Sequence, residues 1–145
     1  MGHDSRRRAL PCGPGEFDAL ASELVARGHA FRLRVWGNSM SPTIRNGDAV
    51  VVEPCDGSAL RLGDIVFYRR AGGHIAHRLI ELRDGGMTLV TRGDAHTYCD
   101  PPFGPHEVVG RVVTIEHVSS SGKLARWLLR LRQLGSAAIA SRVTV

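Results

Sequence analysis

The stretch "AFRLRVWGNSMSPTIRNGDAVVVEP", Ala30 to Pro54, contains two apolar segments and the turn that joins them. Phe31, Leu33 and Val35 alternate with Arg32 and Arg34, the period of two expected of a strand with one buried face. After Asp48 the run Ala49–Val52 is short, apolar and β-branched, which predicts a second strand. The turn between them is rich in Gly, Asn and Pro and displays the pair Ser39-Met40. A serine in such a turn ordinarily only shapes it. It becomes a nucleophile where another group can take its proton.

The same grammar continues down the chain. "DIVFYRR" (64–70), "HIAHRLIEL" (74–82), "MTLVTRG" (87–93) and "EVVGRVVTIEHV" (107–118) read as further strands, and "RDGG" (83–86) is a hairpin signal. Gly-Asp turns open two of the strands, at Gly47-Asp48 and Gly63-Asp64. The expectation is a mainly β, antiparallel domain over residues 30–118. Upstream, residues 1–15 read as a disordered lead broken by "PCGPG". Residues 16–29 predict a short helix with Phe17, Leu20, Leu24 and Val25 on one face and Gly28 as its stop. Residues 119–145 open with the polar linker "SSSG". They then place Leu124, Trp127, Leu128, Leu131 and Leu134 on one face of an expected basic amphipathic helix.

A chain of 145 residues with 43 % hydrophobic and 23 % charged content suits one soluble domain with one core. Residues 1–122 hold equal numbers of acids and bases, so the net charge of +5 belongs to the tail, where Lys123, Arg126, Arg130, Arg132 and Arg142 face no acid. That distribution argues against a nucleic-acid-binding domain. Cys12, Cys55 and Cys99 are odd in number and lack metal-ligand spacing, so neither a disulfide framework nor a metal or other cofactor is expected. No run of 18 apolar residues and no signal-peptide pattern occurs, which leaves a cytoplasmic default. The tail, residues 123–138, is a candidate for peripheral membrane or partner-protein contact.

Among seven histidines, His77 stands out because it shares a strand face with Ile75 and Leu79. An imidazole on a buried face needs a partner for its second nitrogen. The following turn, "TRGDAHTYCDPP", offers two carboxylates, Asp94 and Asp100. Lys123 is the only lysine and lies outside the β domain, so a Ser-Lys pair within it is excluded.

Taken together, "GNSMSP" with "RNGDAVVVEP", then "LRLGDIVFYR", "IAHRLIEL", "TRGDAHTYCD" and "EVVGRVV" resemble, in order, the boxes of the signal peptidase I and SOS-repressor-type superfamily of serine peptidases. The resemblance spans residues 33–115. It implies that family's β fold, with Ser39 as nucleophile and the position of the general base filled by His77. Histidine there is similar to the endoplasmic-reticulum, archaeal and sporulation-type signal peptidases, which use Ser, His and Asp. Asp94 and Asp100 both match acidic positions of that subtype. Asp100 is expected to orient His77, with Asp94 as the alternative or as structural support. An ordinary imidazole, with pKa ~6.5, accepts a proton at neutral pH without the desolvation a lysine needs. The resemblance implies an oxyanion site at the Ser39 N–H, with Gly37, Asn38 and Met40 around it and a peptide or protein precursor as substrate. Gly37 stands where signal peptidases often have a serine, and Ala95-His96 where they often have an Asn pair. Two other functions stay open: a peptide-binding module that has lost activity, and a self-cleaving regulator.

Overall fold

The computed structural model describes residues 14–71, 73–118 and 137–144. Helix α1 (Pro14–Ala26) is followed by β1 (Phe31–Trp36), β2 (Ala49–Pro54), β3 (Ile65–Arg70), β4 (Gly73–Arg83), β5 (Thr88–Arg92), β6 (Val108–Glu116) and β7 (Ala137–Thr144). The sheet order is β3-β6-β2-β1-β7-β4-β5, and β3 also pairs with β4, so six of the strands close into a ring with β5 attached to β4. The first six strands pair antiparallel. Among the described residues only β7 runs parallel to its neighbours, β1 and β4.

The expected alternation in β1 is present: Phe31, Leu33 and Val35 are fully buried between half-buried arginines. These three join Met40, Ile44, Val50, Val52, Ile65, Phe67, Ala76 and Val109 in the main core. Helix α1 closes one side of this core with Phe17, Ala21 and Leu24, residues spaced to share one helical stripe. Strand β3 is buried on both faces, which explains its unbroken apolar run. Ile65 and Phe67 face the main core. Val66 and Tyr68 face a second cluster with Leu60, Leu79, Leu89 and Phe103.

Two turns of the form Arg-x-Gly-Asp, "RNGD" (45–48) and "RLGD" (61–64), have one geometry. In each the aspartate carboxylate accepts from the arginine N–H at 2.8 Å while the aspartate N–H donates to the arginine carbonyl at 3.0 Å. The glycine takes φ of +87° at Gly47 and +94° at Gly63, where an L side chain is strained. Each turn is then stitched to a strand: Gly47 N–H donates to Val35 and Val35 N–H to Asp48, and Gly63 and Asp64 bracket Leu79 in the same way. Val35 lies four residues before Ser39, and Leu79 two residues after His77. The repeated turn thus fixes both strands from which the candidate site is built.

The expected tail helix falls on residues outside the described set up to residue 136. Beyond it, within the expected amphipathic tail, Ala137–Thr144 is a strand of the main sheet. Its sequence, "AAIASRVT", has little alternation to announce a strand, and its conformation comes from pairing with β1. No helix among the described residues is long and apolar enough to cross a membrane.

Candidate active site

Ser39 stands on the turn after β1, half-buried, with its side chain directed at β4. The turn is braced from several sides. Ser41 N–H donates to Asn38, Ile44 N–H donates to Met40, and Gly37 N–H donates to the Asn46 side-chain oxygen at 2.9 Å. Met40 is fully buried in the main core, so its side chain anchors the turn. Asn38 is exposed beside it. Gly37, at φ +116°, has its N–H committed to Asn46.

His77 sits mid-strand in β4, 5 % exposed, on the face that carries Ile75 and Leu79. Its Nε2 lies 2.7 Å from Ser39 Oγ and its Nδ1 lies 2.6 Å from Asp100 Oδ2. A carboxylate can only accept, so Nδ1 carries the proton and Nε2 presents its lone pair to the serine hydroxyl. Asp100 is itself held. Its N–H donates to the Thr91 carbonyl at 2.8 Å, and the Thr91 hydroxyl donates to Oδ2 at 2.7 Å. Tyr68 OH lies 2.9 Å from Thr91 Oγ1 and supplies the hydrogen that this oxygen accepts. Burial, aided by the nearby Asp100 charge, pushes the Tyr68 phenol up to about 12, so it stays a donor. The chain of donors therefore runs from Tyr68 through Thr91 to Asp100, and meets there the chain from Ser39 through His77.

Asp94 does not reach His77. Its carboxylate takes two bonds from Arg78, at 2.7 and 2.6 Å, and one from the Thr43 hydroxyl at 2.6 Å. The Arg78 guanidinium, together with Thr43, holds the Asp94 carboxyl below the ordinary carboxylate range against the opposing effect of burial. Asp94 thus ties the serine turn, through Thr43, to β4 beside His77. The backbone next to it approaches even closer. Ala95 N–H donates to the Ser39 carbonyl at 2.8 Å, and a Cβ on Gly93 would stand 2.6 Å from that same oxygen.

A second imidazole borders the site. His96 meets His77 edge-on, with ring centroids 5.7 Å apart, and stacks on the exposed Tyr98 ring at 4.6 Å. Its buried Nδ1 has no hydrogen-bond partner. No cluster of three or more His, Cys, Asp or Glu suited to a metal ion occurs among the described residues.

Of the residues singled out in the sequence, Ser39, His77 and Asp100 come together as one hydrogen-bonded line, with Asp94 one layer away. Tyr68, Thr91, Arg78 and Thr43 were not legible as participants. Tyr68 and Thr91 read as ordinary strand residues, and only a polar side chain recurring on an apolar face hinted at them.

A family model agrees with the mainly β fold. Residues 9–113 match the profile described as Peptidase S24-like. Among curated proteins none matches the chain. The profile covers well over half of the sequence, including β1 to β5, most of β6 and all of the hydrogen-bonded line just described: the chain belongs to the Peptidase S24-like family.

Proposed function

We propose that the protein is a serine endopeptidase that cleaves extended peptide substrates through Ser39, His77 and Asp100. The observation that carries this reading is the unbroken line of short hydrogen bonds from Ser39 Oγ through both nitrogens of His77 to Asp100. Ser39 Oγ attacks the scissile carbonyl carbon while its proton passes to His77 Nε2. The imidazolium that forms faces the Asp100 carboxylate, which stabilises it. Collapse of the tetrahedral species breaks the C–N bond, and His77 returns the proton to the leaving amine. Water then repeats the sequence on the acyl-Ser39 ester, with His77 again as base.

The Ser39 N–H is the oxyanion donor in this scheme. Gly37 N–H is already engaged by Asn46 and adds nothing to it. By family resemblance the bond cleaved follows small residues of a protein precursor. Cleavage on the cytoplasmic side, with residues 123–138 in contact with a membrane surface or a partner, extends the same reading. Commitment of Gly37 N–H favours one alternative, a peptide-binding module of the same fold without turnover.

The test is a peptide library digested by the wild type, Ser39→Ala and His77→Ala proteins. The peptidase reading predicts discrete cuts by the wild type and none by either variant, and the cut sites give the specificity. Peptide binding without cleavage by all three proteins establishes the binding module instead.

A further inference from the structure

Strands β1 and β4 do not pair with each other. They run in the same direction, one leading into the Ser39 turn and the other carrying His77, and β7 lies between them. The described end of β7, Thr144, is the partner of Trp36, three residues before Ser39, and of Ile75, two residues before His77. The last described strand of the chain therefore enters between the two strands that hold the nucleophile and the base, and it points toward them.

Neighbouring strands in a sheet lie about 4.8 Å apart, so a single extended chain separates β1 from β4 by about 10 Å. Such a space, edged on both sides by backbone N–H and C=O groups, accepts an extended peptide through main-chain bonds and with little regard for sequence. A substrate that meets Ser39 as an acyl donor would bring the residues preceding its scissile bond toward this space. Strand β7 already lies there, parallel to β1 and β4, and it is the only parallel strand among the described pairings.

The pairing of β7 is uneven, with five partner pairs to β1 and one to β4. Between Leu33 and Val35 its register slips, since Leu33 meets Ile139 and Val35 meets Val143, which leaves two extra β7 residues between these pairs. Toward β4 the register consists of the single pair Ile75 with Thr144. Release of β7 breaks five partner pairs to β1 and one to β4, whereas the β2–β6 ladder alone holds six and also carries a register shift. The segment itself, "AAIASRVT", contains no acid and three alanines.

We propose that β7 is a cis inhibitor, an occupant of the substrate channel that must leave before a peptide enters. The proposal rests on the peptidase reading for its consequence, but occupancy is measurable without turnover. The full chain is prepared as Ser39→Ala and as Ser39→Ala with Val143→Pro, since proline removes a ladder donor and opposes the strand. Val143→Gly serves as a milder second variant that retains every backbone group. The probe is a fluorescein-labelled synthetic peptide of residues 137–145, followed by anisotropy, and a thermal melt checks each fold.

The expected result is at least tenfold tighter binding of this peptide once β7 is weakened. In the Ser39 proteins, a reporter peptide is expected to be cut at least tenfold faster by the Val143 variants than by the wild type. Equal binding to both proteins, or no binding to either, overturns the proposal. So does loss of the cooperative melt in both Val143 variants, which makes β7 an integral part of the core. Tighter peptide binding without any cleavage in the Ser39 background upholds occupancy and fails the peptidase reading alone.

Discussion

The position of one proton, on Nδ1 of His77, governs what Ser39 can do. Asp100 Oδ2 holds it there at 2.6 Å, and the Thr91 hydroxyl fixes that same oxygen. Replacing Asp100 by Asn offers a donor where the ring needs an acceptor and favours the other tautomer. Asp100→Asn is therefore expected to lower kcat by about 10⁴-fold at an intact fold, by analogy with the Ser-His-Asp case. Asp94→Asn has a different signature. It weakens the two Arg78 bonds and the Thr43 bond, so it is expected to cost about 1–3 kcal/mol of stability and much less than Asp100→Asn in rate. Thermal melts alongside kinetics separate the two. Spacing alone does not distinguish these carboxylates, although Asp100 is the one expected to orient His77. They lie six residues apart in one turn, and which of them faces β4's imidazole depends on how that turn folds over β5.

At the scale of elements, the turns decide the site. Gly47 and Gly63 need positive φ but have open space where a Cβ would sit, whereas Gly93 has a Ser39 carbonyl oxygen 2.6 Å from that point. Gly47→Ala is expected to cost about 1–2 kcal/mol through backbone strain, with activity at saturating substrate preserved. Gly93→Ala is expected to displace the serine turn and to lower kcat far more than it lowers the melting temperature. The strands with clear alternation or unbroken β-branched runs, β1 to β3, were legible because burial imposes its period on the residues directly. His77 was legible for the same reason in reverse, as a polar residue where the period demands an apolar one. Met40 could equally have lined the cleft by sequence, and the fold places it in the core. Strand β7 was not legible, because its conformation is dictated by a partner strand about a hundred residues earlier.

Across the whole molecule, one histidine links helix α1 to the sheet. His74 is buried on the face of β4 opposite His77, stacked on Phe67 and edge-on to Phe17 of the helix. Burial holds its pKa below the ordinary 6.5. The Asp18 carboxylate at 3.3 Å acts against that effect, and Arg69 reinforces it. A lowered histidine pKa means that the unfolded chain binds the proton more tightly. The contribution is full above pH 6.5 and is lost as pH falls from 6.5 toward the depressed folded value. A melting temperature that declines below pH 6.5 in the wild type is expected, with a smaller decline over that window in His74→Leu. Asp48 and Asp94, both held below 3.8, add a second loss of stability as pH falls below that value.

The central claim is that His77 takes the proton of Ser39, and the pH dependence of kcat/KM for one cleaved reporter peptide tests it most directly. The measurement compares wild type, Ser39→Ala and His77→Ala between pH 5.5 and 9. Cleavage by the wild type, slower at the acid end of this range than at neutral pH, is expected, with none by either variant. Cleavage that persists in His77→Ala, or in Ser39→Ala, contradicts it.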